Sequence, residues 1–136
     1  MTRNNRTPRI RPLFTLFGAL LLSLGGTACL PDYGAIEVEV GSSPPVPVSI
    51  HSRDFQVPVG ISVLIHVTPI SDNNNEYVET DTVELTSEDR SILDVEPGPD
   101  ERSFVLVGVD VGSTCVEVVI NGSVEDCIPA EVLAQS

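Results

Sequence analysis

The three cysteines are the side chains of this 136-residue chain best able to do covalent chemistry. A thiolate can be acylated, oxidised to a disulfide or bound to a metal ion. Cys29 stands alone near the N terminus, whereas Cys115 and Cys127 lie close together near the C terminus. These positions predict one role for Cys29 and another, shared role for Cys115 and Cys127.

Residues 1–28 have the three-part layout of an export signal. Four arginines and no acidic residue precede an apolar stretch, Leu13–Leu24, and small residues follow it. A stretch of about 12 residues suits a signal core and falls short of the roughly 20 that span a bilayer as a helix. An ordinary cleaved signal explains this layout, and an uncleaved anchor is the other alternative.

Gly26-Thr27-Ala28-Cys29 resembles the lipobox of bacterial lipoproteins, in which signal peptidase II cuts before a diacylglycerol-modified cysteine. The resemblance implies that residues 1–28 are removed and that Cys29 carries lipid, including palmitate-type chains. Each methylene of an acyl chain that is buried in the bilayer contributes about 0.8 kcal/mol to membrane binding, so several acyl chains anchor a small domain stably. Leu30 is not the aspartate that retains a lipoprotein at the inner membrane, which favours the outer membrane. The expected location is the bacterial cell envelope.

All 20 acidic residues follow Cys29, together with only three arginines and no lysine, so the mature chain has a net charge of −17. Nucleic acid is excluded as an expected partner because its binding needs clustered basic residues. We expect membrane contact through lipid at Cys29 alone. The 108 residues that follow the signal suffice for one domain.

With Cys29 assigned to lipid, Cys115 and Cys127 remain as an even pair, and in an exported protein such a pair predicts a disulfide. A metal site is the alternative. It lacks nearby ligands in the sequence, because His51 and His66 are distant from both cysteines and from each other.

After residue 28 the chain shows two-residue alternation and no helical periodicity. The inward rows are expected at Ile61–Val67, Val105–Val111, Thr114–Ile120 and Ile128–Val132, with shorter strands at Ile36–Val40, Val46–Ile50, Thr82–Thr86 and Ile92–Val95. Turn residues separate these segments. The pattern predicts an all-β, antiparallel β-sandwich over residues 46–136. Residues 29–45 are expected to form the lipidated tether, with Ile36–Val40 either part of it or a first strand and residues 41–45 as a spacer.

The last two strands predict a hairpin with a three-residue loop, Ile120-Asn121-Gly122. This loop places Val119 opposite Ser123 and Cys115 directly opposite Cys127, and Gly122 supplies the left-handed residue. Pro129 lacks an amide hydrogen, so we expect the final strand to be an edge strand or to be bulged at that position.

Three segments together resemble a bacterial immunoglobulin-like domain of group 2: Gly60–Val67 as a glycine-led strand, Leu85–Val95 as the "Ser-Ser-Asp" segment, and Val107–Val118 as the closing strand. The resemblance covers roughly residues 46 to 134. It implies a sandwich that serves as a stalk or adhesive module on a bacterial surface, in contact with an envelope protein or glycan.

No cluster of residues predicts catalysis, and we expect a non-catalytic protein without a cofactor. Asp72, Asn74 and Glu76 place oxygen ligands at alternating positions, as calcium loops do, yet a solvated loop between strands is the favoured interpretation. Calcium binding is therefore the alternative, and it would make the chain a calcium-dependent structural surface protein. An accessory subunit of an envelope complex is a further alternative.

Overall fold

The computed structural model describes residues 32–136 with the exception of residue 79, and within this part the chain forms nine β-strands. The strands are β1 (Tyr33–Val40), β2 (Ser49–His51), β3 (Asp54–Pro58), β4 (Ser62–Ser71), β5 (Val83–Ser87), β6 (Leu93–Pro97), β7 (Ser103–Gly108), β8 (Gly112–Ile120) and β9 (Ser123–Leu133). One sheet has the order β1-β4-β7-β6 and the other the order β2-β3-β9-β8-β5. The predicted all-β sandwich is confirmed.

One pair of strands departs from the antiparallel prediction. β3 and β9 run parallel, with Phe55 opposite Ala130 and Pro58 opposite Leu133, whereas every other pair described is antiparallel. Parallel neighbours need a long connection between them, and here the whole of β4 to β8 supplies it. The pairing covers only Ala130–Leu133 of β9, so the edge of Ser123–Pro129 on that side meets no strand among the residues described.

The segment Ile36–Val40 is a strand and not part of a tether. β1 pairs with β4 along its length, and Ile36 is fully buried. The sandwich therefore includes Tyr33 and does not begin at residue 46. Residues 41–45 connect β1 to β2, where Gly41 N donates to Leu64 O and Ser42 Oγ accepts from Leu64 N. They are not the spacer that their composition predicts.

The strongest predicted rows are buried as expected, because every second side chain of a strand faces the same side. Ile61 is buried just before β4, Val63, Ile65 and Val67 are buried along β4, and Val116, Val118 and Ile120 are buried along β8. Ile128, Ala130 and Val132 complete the core from β9.

The row predicted at Val105–Val111 is wrong by one residue. Phe104 and Leu106 face the core, whereas Val109 and Val111 are exposed and follow the end of β7. The larger apolar side chains occupy the inner positions and bury more area than valine would. β3 was not predicted at all, although it buries Phe55 and Val57 almost completely.

The register of the β8–β9 hairpin also differs from the prediction. Ile120 pairs with Ser123 across a two-residue turn, and both Asn121 (φ 50°) and Gly122 (φ 82°) are left-handed, as a type I′ turn requires. A bulge follows, because Val119 pairs with Val124 and Val118 with Asp126, which leaves Glu125 as the extra residue.

The bulge makes a two-residue turn compatible with the buried rows of both strands. It shifts the alternation of β9 by one residue, so Val116 lies opposite Ile128 and both are buried. Cys115 consequently lies opposite Pro129, and Cys127 lies opposite Glu117.

Pro129 is not at the bulge, and β9 as a whole is not an edge strand, but among the described residues the segment that contains Pro129 is unpaired on the β3 side. β9 lies between β3 and β8, and the irregularity is at Val118/Val119. The proline is nevertheless tolerated, because the pairing of β9 with β3 begins only at Ala130. In the part of the chain that the structure describes, no helix is long and apolar enough to cross a membrane.

Candidate functional site

The predicted cysteine sites fall into two classes. Cys29 lies outside the described residues, so its lipidation stays a prediction. Cys115 and Cys127 form a disulfide with their Cα atoms 5.5 Å apart. The bond connects β8 to β9 diagonally and not between directly opposed residues, which the bulge makes possible.

Glu88 lies beside this disulfide. Its amide donates to Cys115 O at 3.0 Å, and its carboxylate lies within 4.8 Å of both sulfur atoms. No local pattern indicates this neighbour, because Glu88 lies far upstream of both cysteines, in the connection between β5 and β6. Three such ligands could hold a metal ion, but sulfurs bonded to each other offer no thiolate. In the oxidised protein the group is a structural disulfide with an acidic neighbour.

The loop that contains Asp72, Asn74 and Glu76 is organised by Ser71. Ser71 Oγ accepts from Asn75 N at 3.2 Å and donates to Asn75 O at 3.1 Å, and Asn74 N donates to Ser71 O. Asp72 and Asn74 are exposed. Within residues 32–136, residue 79 excepted, Asp72 and Glu76 belong to no group of three potential ligands. Hydrogen bonding to Ser71 is a sufficient cause of the loop's conformation.

The two histidines lie apart from each other. His51 ends β2 at a tight turn and is exposed, while His66 lies in β4 between Glu39 of β1 and Ser103 of β7. This row has the residue types of a catalytic triad, but Ser103 Oγ is used otherwise. It accepts from Asp100 N at 2.9 Å and donates to Asp100 O at 2.6 Å. The hydroxyl closes the β6–β7 loop and does not meet the imidazole.

A groove of about 780 Å³ opens along β5, on the side that pairs with no other strand of the described residues. Leu85 and Phe104 contribute apolar surface to it. Its polar lining comes from the β4–β5 loop, β5 and the β6–β7 loop and includes Asp81, Glu84, Asp100, Glu101 and Arg102. The lining contains no histidine, cysteine or lysine, so no base stands beside its hydroxyl groups other than carboxylates. This arrangement suits binding of a neutral or cationic group more than activation of a nucleophile.

Arg102 does not serve as an anion site in this groove. Its backbone is left-handed (φ 58°), and its guanidinium donates to the carbonyl oxygens of Tyr77, Val78 and Asp81. One side chain thus fastens the β4–β5 loop to the β6–β7 loop. Nothing in the sequence around Arg102 signals this role, because its partners are backbone atoms distant along the chain.

Asn121 ties the β8–β9 turn to the same loops. Its Oδ1 accepts from Thr82 N at 3.0 Å, and its Nδ2 donates to Asp81 Oδ1 at 3.0 Å. Because Tyr33 also lies here, we call this part of the sandwich the N-terminal end, defined by residues 32–33, loops 72–82, 98–102 and 121–122, and residues 123–126 at the start of β9. The opposite end is defined by loops 59–61, 88–92 and 109–111.

The N-terminal end is strongly acidic. It carries Asp32, Asp72, Glu76, Asp81, Asp100, Glu101, Glu125 and Asp126. Burial raises the pKa of Tyr33 well above its ordinary value, and the nearby Asp126, which accepts a hydrogen bond from the hydroxyl at 3.1 Å, raises it further. Burial and then the charge of Glu125 likewise raise the pKa of Tyr77. Both tyrosines are thus partly or fully buried and lie close to negatively charged carboxylates.

Comparison with solved structures identifies similar sandwiches in surface layer protein SbsC. Domains 1–6 of that protein are 21% identical over 79% of this chain, with a TM-score of 0.52. Domains 4–9 are 22% identical over 69% of this chain, with a TM-score of 0.50, and domains 5–6 give the same three values. The match covers 14%, 15% and 47% of those chains, so this chain spans less than half of their length.

No protein-family model and no curated protein matches the chain. At this level of identity the likeness to SbsC concerns the fold alone.

Proposed function

We propose that the chain is a lipid-anchored, non-catalytic immunoglobulin-like module of the bacterial cell envelope, of the group 2 type, and that it acts by contact with an envelope protein or glycan. The likeness of its sandwich to domains of a surface layer protein is the observation that carries this proposal. The lipobox-like sequence before Cys29 supplies the anchor, and it favours the outer membrane.

The groove along β5 is the proposed contact surface. It combines apolar side chains with four carboxylates and lies next to the unpaired edge of β5. An edge strand offers backbone hydrogen bonds to a partner, and the carboxylates select neutral or cationic groups. The paired cysteines stabilise the scaffold and take no part in binding.

The anchor is tested by labelling cells with an alkyne palmitate analogue and fractionating them. Wild-type protein should be labelled and should sediment with membranes, whereas Cys29→Ala should lose both properties. Cys115→Ala is the matched control, because it removes a cysteine without touching the lipobox. Unchanged sedimentation of Cys29→Ala would refute the anchor.

The contact surface is tested with the released Cys29→Ala protein and envelopes from cells that lack the chain. Saturable retention is expected, and the added change Glu84→Gln/Glu101→Gln should weaken it. The variant Glu37→Gln/Glu39→Gln is the control, because it removes the same number of negative charges from exposed positions of β1 away from the groove. Retention that does not saturate would contradict a contact function.

Calcium dependence is the competing function, and thermal melting separates it from the first. A calcium-dependent protein would show a higher Tm at millimolar calcium. We expect no shift, because Ser71 already organises the loop that contains Asp72, Asn74 and Glu76.

A further inference from the structure

The inclusion of β1 in the sandwich leaves very little chain for a tether. Under the proposed function the lipid is on Cys29, and β1 begins at Tyr33. An extended chain advances at most about 3.6 Å per residue, so four residue steps span about 14 Å. The N-terminal end of the sandwich is thereby confined to the membrane surface, and the spacer that would have lifted it away does not exist.

The length of the strands places the opposite end far from that surface. β4 runs from the opposite end to the N-terminal end over 10 residues, and a strand rises about 3.3 Å per residue. The distance between the two ends is therefore about 30 Å, more than twice the reach of the tether.

Charge decides between an upright and a flat orientation. A domain lies flat on a bilayer when one side offers basic residues or a large apolar patch. This chain has no lysine, and the outer row of β1, next to the tether, carries the exposed residues Glu37 and Glu39. No described face attracts anionic lipid, so the tether alone sets the contact.

We infer that the N-terminal end, with loops 72–82, 98–102 and 121–122, is the membrane-facing surface and that the sandwich stands upright on the bilayer. The tips of these loops face the layer of lipid headgroups, whereas the groove along the edge strand β5 opens sideways, so its partner would bind close to the bilayer. The acidic residues keep the N-terminal end in water above the phosphates, and loops 59–61, 88–92 and 109–111 point outward. This inference rests on the proposed lipid anchor.

The absence of tryptophan from the chain makes the orientation measurable. Each end offers exposed valines: Val78 (64% exposed) and Val124 (59%) at the N-terminal end, Val109 (48%) and Val111 (56%) at the opposite end. Single Val→Trp variants of the full-length lipoprotein are purified and inserted into vesicles that contain dansyl-headgroup lipid. Energy transfer from tryptophan to dansyl then reports the distance of each end from the bilayer.

We expect several-fold more transfer from Val78→Trp and Val124→Trp than from Val109→Trp and Val111→Trp. Insertion of ten Gly/Ser residues between Pro31 and Asp32 should remove most of this difference. Equal transfer from both ends, or more transfer from the opposite end, would overturn the upright orientation. Two variants at each end protect the result against one that fails to fold.

Intact mass keeps the two proposals distinguishable. The mass of the purified chain shows the acyl groups, and their absence would overturn the anchor and the orientation together. A lipidated chain with equal transfer from both ends would overturn the orientation and leave the anchor in place.

Discussion

At the N-terminal end of the sandwich the loops are connected mainly by side chains, in addition to a backbone bond from Asn121 N to Thr82 O. At the opposite end they are connected mainly by backbone groups, in addition to a side-chain bond from Gln135 to Val59 O. Arg102 and Asn121 join three loops at the first end. At the second, Gly60 N donates to Gly108 O, Gly108 N to Ile61 O, and Val109 N to Ile92 O. The N-terminal end therefore depends on the identity of a few polar residues, while the opposite end depends on the close approach of the chain to itself.

Loss of the disulfide should have the largest effect, because it removes the covalent link within the hairpin that leads to the N-terminal end. Cys115→Ala/Cys127→Ala should lower the free energy of unfolding by about 3 kcal/mol. Denaturant unfolding measures the loss, and hydrogen exchange should show it mainly in residues 119–126. Equal loss of protection at residues 59–61 would contradict the difference between the two ends. The mass of the wild-type chain should rise by two hydrogens on reduction.

Removal of Arg102 should come next. Arg102→Met keeps the apolar stem and deletes bonds to three carbonyl oxygens, so we expect about 2 kcal/mol of destabilisation. Arg90→Met is the matched control at the opposite end, because Arg90 forms an exposed ion pair with Asp94 at 2.7 Å. Such pairs contribute about 0–1 kcal/mol. Equal losses in the two variants, measured by thermal and denaturant unfolding, would remove the special role of Arg102.

Gly108 and Gly122 allow a further test of the difference between the two ends. A Cβ on Gly108 would meet the carbonyl oxygen of Pro58, whereas Gly122 has open space but a left-handed backbone. Gly108→Ala should cost about 1.5 kcal/mol through crowding. Gly122→Asn should cost less, because asparagine tolerates positive φ, but Gly108→Asn should cost more than Gly108→Ala. Equal changes in Tm for Gly108→Asn and Gly122→Asn would contradict the interpretation that Gly108 is required by close packing and Gly122 by its backbone conformation.

The smallest effect should be on pH dependence. The folded pKa of Tyr33 lies above its unfolded value near 10, so the contribution of the protonated hydroxyl is complete below that value. It is lost as the pH rises through the folded pKa. Stability should therefore decline above pH 10, and Tyr33→Phe should reduce the slope of that decline. Absorbance at 295 nm should show late titration of the tyrosines in the folded protein; titration near 10 would contradict it.

The sequence predicted the fold wherever one side of a strand is clearly more apolar than the other. The row from Ile61 to Val67 alternates with Ser62, Leu64 and His66, two of which are polar, so the other face of the strand is clearly less apolar. In β7 both faces are apolar, and the volumes of Phe104 and Leu106 decided the outcome. β3 was missed because it is short, with only Phe55 and Val57 pointing inward.

The candidate sites were less accessible to prediction because they depend on contacts between distant segments. The disulfide between Cys115 and Cys127 could be predicted from the number and position of the cysteines. The register of β8 and β9 could not, because it depends on a bulge at Glu125 that no local sequence signal indicates. The groove combines residues from the β4–β5 and β6–β7 connections. The bonds from Arg102 go to backbone oxygens, which every sequence contains.

The short overlap of β3 with β9 bears on how densely such molecules can be packed. No strand among the described residues pairs with the edge of Ser123–Pro129 on the β3 side, and an unpaired edge can pair with a second molecule and begin aggregation. Molecules anchored in one membrane would meet at high local concentration. Glu125 and Asp126 on this edge repel a like-charged neighbour, and Pro129 withholds a hydrogen-bond donor. These three residues favour a crowded layer of separate molecules over a fused sheet.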